Sequence, residues 1–220
     1  MKQRGAVAIR ELSAARELGL YTIAKHTTDD PNHALYANEA VVLDSPNDFS
    51  DAVKLTSVCL DSKADSIYPA YGFLSESSEF CEMLKEADIL FVGPSPAILR
   101  NVSEKTKARH VAKTNHVPVL SALSEAIANF DEALPFVEDI GFPLMIKAVD
   151  GGGGRGIRLI HGHEDLKQGF ARACGESPSG RVFLERAAVD GYGHVEVQIL
   201  GDQYGEVRHF WERECSIQRR

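Results

Sequence analysis

The residues best suited to chemistry form a run of glycines between two apolar segments. Gly151–Gly154 lie between the predicted strands Leu144–Ala148 and Gly156–Ile160, and Gly156 begins the second strand. Glycine loses more backbone freedom on folding than any other residue, so glycines kept beside a strand indicate that bare N–H groups must approach a ligand closely. Backbone amides that point into one concavity bind phosphate oxygens. A flexible linker is the alternative, and the strands on both sides of the run disfavour it.

A lysine precedes the glycines at a position where phosphate chemistry would use it. Strand alternation in Leu144–Ala148 puts Met145 and Lys147 on one face, opposite Leu144 and Ile146. An ammonium group at the end of an apolar strand is costly unless it is paired. A phosphate would be a strong charged partner for Lys147, and extension of its side chain into solvent is the alternative.

The segment does not match the patterns of three well-known phosphate-binding loops. Gly151-x-Gly153-x-x-Gly156 matches the dinucleotide pattern, but that pattern requires a following helix and the residues here predict a strand. The Walker A pattern fails because no Gly-Lys-Ser/Thr is present. A strand–glycine loop–strand also resembles the lid of a protein kinase, yet the V-A-I-K, H-R-D and D-F-G motifs are missing. The segment therefore predicts a phosphate-binding glycine hairpin outside these three classes.

The elements before the loop predict an α/β domain over residues 1–93. Short apolar strands between helices are typical of a parallel sheet covered on both faces. In a doubly wound sheet the opening strand is normally central, and here a helix comes first, so we expect the domain to lack its first strand. The predicted helices are Ala8–Leu18, Val53–Leu60 and Ser77–Ala87, and the predicted strands are Tyr21–Ala24, Ala40–Leu43, Ser66–Tyr68 and Ile89–Val92.

The second half of the chain predicts a different, α+β unit. His194–Leu200 alternates between apolar and polar residues, and a tight turn joins it to Glu206–Trp211, which predicts an antiparallel hairpin. The remaining predicted elements are the helices Pro96–Asn101, Glu104–Asn115, Asp131–Ile140 and Asp165–Cys174 and the strand Val182–Glu185.

Composition excludes several classes of function. The 220 residues include 24 Lys and Arg against 32 Asp and Glu, a net charge of −8, which argues against a general binder of nucleic acid or anionic membranes. No window reaches the ~20 apolar residues of a membrane span, and the N-terminus has no secretory apolar region. The four cysteines form no C-x-x-C pair, and His194 and His209 lie too far apart for a metal pair. We expect a soluble intracellular protein with reduced thiols.

Five segments stand in order along nearly the whole chain: YPAYGFLSE at 68–76, FVGPS at 91–95, MIKAVDGGGGRGIRLI at 145–160, HVEVQILGD at 194–202 and ERECSIQRR at 212–220. Together they resemble biotin carboxylase, the ATP-grasp component of pyruvate, acyl-CoA and urea carboxylases. A sixth segment, RGAVAIRELSAARELGL at 4–20, resembles the family's opening helix. Co-linear motifs are more specific than any one motif alone.

The resemblance implies a fold and a reaction. It implies a Rossmann-like N-terminal domain over residues 1–95 without its first strand, then the first part of an α+β ATP-grasp domain over 96–220, with a glycine-rich lid at about 120–186. The family uses ATP, bicarbonate and Mg or Mn to carboxylate biotin. The implied partners are a biotin carboxyl carrier, which holds the biotin, and a carboxyltransferase component, with no nucleic acid or membrane partner. A homo-oligomer remains open, and the implied location is cytoplasmic, or mitochondrial if a targeting segment has been lost.

The resemblance also implies an ATP site. Lys105 and Lys147 would contact the phosphates, and Gly152, Gly153 and Gly154 of the lid would supply backbone amides. Glu185, Arg186 and Ala188 would form the hinge beside the adenine, which the Glu185 carboxylate would contact. His194 and Gln218 would complete the pocket.

Several positions depart from the family pattern. Tyr68 and Ala70 replace a histidine and a glycine, and one extra residue lies between Glu185 and His194. The family's bicarbonate base, metal-binding glutamates and biotin-orienting arginine all belong to positions after Arg220. No catalytic residue or metal ligand is therefore carried over, and we expect the chain to be inactive alone, because carboxylation needs oriented reactants and metal-bridged phosphates.

Three hypotheses remain at this point. The chain is the ATP-binding part of a biotin carboxylase, or a non-catalytic nucleotide-binding or interaction module, or part of another ATP-grasp ligase such as the large subunit of carbamoyl-phosphate synthase. The SIQRR and YGFLSE segments favour the first over the third. Continuation of the reading frame after Arg220 would favour an enzyme over a non-catalytic module, and the acceptor of the carboxyl group is not encoded in these residues.

Overall fold

The computed structural model describes residues 6–102, 105–149, 156–189 and 191–217. It divides into two compact units, residues 1–108 and 109–220, and each mixes helices with strands as the sequence predicts. The predicted domain boundary at residue 95 stays a prediction.

The first unit contains two short pairs of parallel strands. Strand β1 pairs with β2 and β3 with β4, both in parallel, which agrees with the orientation predicted from the apolar strands between helices. Its helices are α1 (Ala6–Glu17), α2 (Ala52–Asp61), α3 (Ser78–Glu86) and α4 (Pro96–Val102), its 3-10 helices are Asn32–Tyr36 and Pro46–Ser50, and its strands are β1 (Ile23–Thr27), β2 (Glu39–Leu43), β3 (Ser66–Ile67) and β4 (Leu90–Phe91).

Strand β1 begins two residues later than predicted and extends through polar residues. The backbone N–H and hydroxyl of Thr22 both donate to the side-chain oxygen of Asn38 before the strand begins. His26 and Thr27 are buried within β1, beyond the end at Ala24 that the sequence predicts. Tertiary burial therefore decides where this strand ends, and local polarity does not.

Capped helices close over the core of the first unit. The side chain of Asp51 accepts a hydrogen bond from the N–H of Lys54 at the start of α2, and Ser77 accepts one from Phe80 at the start of α3. Such caps satisfy N–H groups that have no partner within the helix. The core that these helices cover consists of Leu43, Leu55, Cys59, Ile67, Phe80, Cys81, Leu84, Ile89, Phe91 and Leu99.

The second unit contains a three-stranded antiparallel sheet and a separate antiparallel hairpin. The sheet order is β6–β5–β7, and β8 pairs with β9 as the alternating pattern predicts. Its strands are β5 (Leu144–Ala148), β6 (Ile157–Ile160), β7 (Val182–Arg186), β8 (Val195–Gly201) and β9 (Val207–Glu214), and its helices are α6 (Leu134–Ile140), α7 (His163–Gly175) and the 3-10 helix Phe130–Glu132. Helix α5 (Lys105–Thr114) runs across the division between the units.

The β6–β5–β7 sheet has one buried and one partly open face. Leu144, Ile146 and Ala148 are buried in β5, whereas the alternate residues Met145 and Lys147 are half-buried. On the buried face, Leu144 and Ile146 join a core that also includes Leu166 of α7. This alternation follows from the two-residue period of a strand, and it leaves Lys147 on the face opposite α7.

The helix predicted over Asp131–Ile140 is divided into two parts. A 3-10 helix ends at Glu132, and α6 begins at Leu134 with Pro135 in its first turn. Proline is accommodated there because the first N–H groups of a helix have no internal partner, whereas in a continuous helix it would remove a hydrogen bond. Pro135 therefore favours a new helix start over a continuation.

The β8–β9 hairpin is exposed along its length. Every residue of β9 is exposed, and so is every residue of β8 except Glu196. Apolar side chains, including Val195, Val197, Phe210 and Trp211, are therefore open to solvent.

Candidate functional site

Lys147 and Glu185 form an ion pair on the open face of the β6–β5–β7 sheet. In the antiparallel pairing of β5 with β7, Lys147 lies opposite Phe183 and Met145 lies opposite Glu185. Lys147 and Glu185 are thus diagonal neighbours on one face, which long side chains can bridge. The Lys147 ammonium group donates to Oε1 of Glu185. The two side chains are 25% and 13% exposed, so the pair is largely removed from water.

Arg109 of α5 completes the cluster and was not among the residues predicted from the sequence. Its guanidinium contacts Oε2 of Glu185 at 3.3 Å, donates to the carbonyl oxygen of Leu120, and lies over the Phe183 ring at 5.6 Å from the ring centre. The sequence offers one signal for this residue. Arg109 follows Lys105 by four residues in a predicted helix, and that spacing brings side chains to one helix face.

Among the described side chains of the cluster, positive charge exceeds negative charge. Two cations, Lys147 and Arg109, share the single carboxylate of Glu185, and all three side chains are at most a quarter exposed. A surplus positive charge in a region partly shielded from water attracts anions more strongly than it would in bulk solvent. The cluster is therefore suited to an anionic ligand at the end of β5.

Hydrogen bonds hold the two ends of the glycine segment. At one end, the N–H of Val149 donates to the carbonyl of Arg181 at 3.1 Å. At the other, the N–H of Gly156 donates to Glu176 at 2.7 Å, while its carbonyl accepts from Ala148 at 2.8 Å. The strands on both sides of the segment are antiparallel, as predicted. Gly151–Gly154, including the predicted phosphate-binding glycines, lie outside the described residues.

Gly156 is required at this position by both conformation and space. Its φ is +70°, in the left-handed region that L residues rarely adopt, and a Cβ there would overlap the Cβ of Ala148. The Glu176 carboxylate that accepts from Gly156 also pairs with Arg158 of β6. The base of the glycine segment is thereby tied to both β5 and β6.

The other predicted site residues occupy different positions. Arg186 points to the buried side of the sheet, where its guanidinium donates to the carbonyl of Ile140 at 2.6 Å, and Ala188 is exposed beyond the end of β7. Lys105 begins α5, but its side chain is not described, and Gln218 lies outside the described residues together with Gly152, Gly153 and Gly154. Of the predicted residues, the structure brings Lys147 and Glu185 into direct contact.

His194 lies at the start of the exposed hairpin. Its backbone N–H donates to the Ser216 hydroxyl at 2.8 Å, and its Nε2 lies 3.6 Å from Oε1 of Glu196. A hydrogen bond from Arg213 lowers the pKa of Glu196, because it stabilises the charged carboxylate. These contacts fix His194 relative to the hairpin.

Within the described part of the chain, no three His, Cys, Asp or Glu side chains lie close enough together to hold a metal ion. None of the described helices is both long and apolar enough to cross a bilayer. All four cysteines are free, and burial raises the pKa of the Cys59 thiol.

Comparison with known proteins identifies relatives of both units. The family model described as "Biotin carboxylase, N-terminal domain" matches residues 1–99, and the one described as "Carbamoyl-phosphate synthase L chain, ATP binding domain" matches residues 104–220. The chain is 38% identical to the mitochondrial pyruvate carboxylase of Homo sapiens, with 99% of this chain and 19% of that protein covered. It is 38% identical to a biotin carboxylase of Nostoc, with coverage of 99% and 50%.

Solved structures agree with these relationships. The biotin carboxylase domain of Hydrogenobacter thermophilus 2-oxoglutarate carboxylase, in complex with MgADP, ADP and bicarbonate, superposes with a TM-score of 0.92 at 33% identity, covering 99% of this chain and 49% of that one. The Campylobacter jejuni biotin carboxylase–β,γ-ATP complex gives a TM-score of 0.92 at 32% identity, with coverage of 99% and 50%. The chain thus spans about half the length of biotin carboxylases and about a fifth of pyruvate carboxylases.

Proposed function

The chain belongs to the biotin carboxylase family, and on this basis we propose that its second unit binds ATP on the open face of the β6–β5–β7 sheet. The observation that carries the proposal is the cationic cluster of Lys147, Arg109 and Glu185 at the end of β5, directly before the glycine segment. The bound nucleotides named for two similar structures support the same ligand class.

In this proposal the glycine segment and the lysines bind the phosphates. The N–H groups of Gly152–Gly154 surround phosphate oxygens, and Lys147 neutralises their charge together with Lys105. The carboxylate of Glu185 accepts the exocyclic amine of the adenine.

The residues that follow β7 complete the nucleotide pocket. Arg186 and Ala188 form the hinge beside the adenine, and His194 and Gln218 close the remaining side of the pocket. Support for this part comes from the motif positions of these residues.

We propose the finer features of the fold on similar grounds. The first unit is a Rossmann-like domain over residues 1–95, which the two parallel pairs β1–β2 and β3–β4 support. Residues 96–220 are the ATP-grasp domain, and residues 120–186 form its glycine-rich lid. The antiparallel strands on both sides of the glycine segment support the lid.

The protein to which these units belong would use ATP and bicarbonate to carboxylate biotin. That biotin is carried by a biotin carboxyl carrier, and a carboxyltransferase component receives the carboxyl group. The compartment would be the cytoplasm, or the mitochondrion as for the mitochondrial relatives. Among the described residues, no three His, Cys, Asp or Glu side chains lie close enough together to hold Mg or Mn.

ATP binding by the purified protein tests the proposal. Isothermal titration calorimetry with ATP should show binding, and Lys147→Met should weaken it about tenfold or more, because a charged hydrogen bond to phosphate is lost. Lys167→Met, which removes an exposed lysine of α7, serves as the matched control and should leave the affinity unchanged. Absence of ATP binding, or equal affinities for the wild type and Lys147→Met, would contradict the proposal.

A second measurement separates an enzyme from a non-catalytic nucleotide-binding module. The expectation that the chain is inactive alone stays a prediction. Phosphate release stimulated by biotin and bicarbonate would contradict it, and ATP binding without such release would agree with it.

A further inference from the structure

The carboxylate of Glu185 is held by two different cations. Its Oε1 accepts from Lys147, and its Oε2 lies 3.3 Å from a guanidinium nitrogen of Arg109. Glu185 is the least exposed of the three side chains, at 13%. Each oxygen therefore has its own charged partner, and the two partners come from different parts of the chain, the β5 strand and the α5 helix.

ATP binding as proposed above would remove one of these partners. An ammonium group has three N–H donors, and those of Lys147 that turn to a phosphate are no longer available to Glu185. Once Lys147 turns to the phosphate, Oε1 of Glu185 loses its cation. A carboxylate that is largely shielded from water and unpaired is strongly destabilising, so this exchange is favourable only if Glu185 keeps another partner.

Arg109 can stay paired with Glu185 when Lys147 turns to the phosphate. Among the described residues, its guanidinium contacts Glu185, the carbonyl of Leu120 and the face of the Phe183 ring. A guanidinium group is planar and always charged, and its several donors can serve two acceptors at once. Lys147, in contrast, has a flexible stem and a single ammonium group, which can move between two anions.

We propose that Arg109 is a positioning residue that holds the Glu185 carboxylate in place when Lys147 moves from Glu185 to a phosphate of ATP. The inference rests on the proposed function, since it concerns the same nucleotide site. Arg109 acts through Glu185 and does not touch the nucleotide. The cluster thus works as an exchange of partners, in which the phosphate replaces Glu185 on Lys147, and Arg109 is the cation that remains on Glu185 beside the adenine amine.

Substitution of Arg109 tests the inference. Arg109→Met keeps an apolar stem over Phe183 but removes the charge, and we expect it to raise the dissociation constant for ATP about tenfold, since a charged hydrogen bond is lost. Arg109→Lys restores the positive charge without the planar guanidinium group, and we expect it to recover most of that affinity. Thermal unfolding of both variants identifies any general loss of structure. Equal affinities for Arg109→Met and the wild type, or equal losses in the two variants, would overturn the proposal.

A double-mutant cycle separates positioning from simple packing. In a Glu185→Gln background, Arg109→Met should change ATP affinity less than about twofold, because the carboxylate that pairs with Arg109 is absent. An unchanged tenfold effect in that background would show that Arg109 acts through packing, and would overturn the inference. If Glu185→Gln alone abolishes binding, the comparison of Arg109→Met with Arg109→Lys decides. Failure of the wild type to bind ATP contradicts the proposed function itself, which distinguishes the two failures.

Discussion

Replacing Gly156 by alanine should destabilise the second unit through two separate effects. The first is conformational, because φ at Gly156 is +70° and an L residue in the left-handed region costs roughly 1–2 kcal/mol. The second is steric, because the new Cβ would overlap the Cβ of Ala148, and overpacking in a close-packed site costs roughly 1–3 kcal/mol. Together these effects should lower the free energy of unfolding by roughly 2–5 kcal/mol.

Gly180 provides a matched control for the conformational effect. Its φ is +67°, nearly that of Gly156, but no atom lies within 4 Å of a Cβ placed there. Gly180→Ala should therefore cost only the conformational part, roughly 1–2 kcal/mol. The difference in the free energy of unfolding between the two variants measures the steric cost of the close contact between Gly156 and Ala148 of β5.

Urea unfolding followed by far-ultraviolet circular dichroism would measure the two free energies. Hydrogen exchange adds a local measurement, since the N–H of Ala148 donates to the carbonyl of Gly156 at 2.8 Å. Protection of that N–H should fall in Gly156→Ala and persist in Gly180→Ala. Equal losses of stability in the two variants would refute the reasoning, because the overlap with Ala148 would then contribute nothing.

Two further substitutions test the sheet and the hairpin. Ile146→Ala should lower the free energy of unfolding by about 2–5 kcal/mol because Ile146 is fully buried, whereas Leu159→Ala, at a half-exposed position of β6, should cost clearly less in the same urea titration. In the hairpin, Arg213 lowers the pKa of Glu196, so their pairing stabilises the fold above the unfolded-state pKa, and this contribution is lost as the pH falls through the folded-state pKa. Titration of Glu196 by NMR should show its pKa rise in Arg213→Met, and an unchanged pKa would contradict this account.

Short-range patterns in the sequence predicted much of the fold. Alternation in His194–Leu200 predicted the hairpin, and the apolar strands between helices predicted parallel pairs. The errors arose where tertiary burial or proline chemistry decided the outcome. His26 was a polar residue that the fold buried inside β1, and Pro135 started a new helix where periodicity suggested a continuous one.

The candidate site was predictable only in part. Residue types and spacing indicated Lys147 and the glycine segment, and the family resemblance added Glu185. The contact between Glu185 and Arg109 joins residues 76 positions apart, so it depends on how α5 is brought to β7. No local pattern encodes that approach. The pairing of Lys147 with Glu185 likewise required the register of β5 on β7, which a sequence pattern does not specify.

The exposure of the hairpin determines what optical probes of this protein report. Its single tryptophan, Trp211, lies on β9 with most of its ring in water, and Phe183 and the buried sheet contribute no indole signal. Intrinsic emission will therefore follow the β8–β9 ribbon, while circular dichroism follows the helices and the sheet. A two-stranded ribbon without further packing is marginally stable in water. Fluorescence should therefore record an unfolding transition at a lower temperature than circular dichroism does. A melting curve from one probe alone would miss the difference in stability between the hairpin and the rest of the fold.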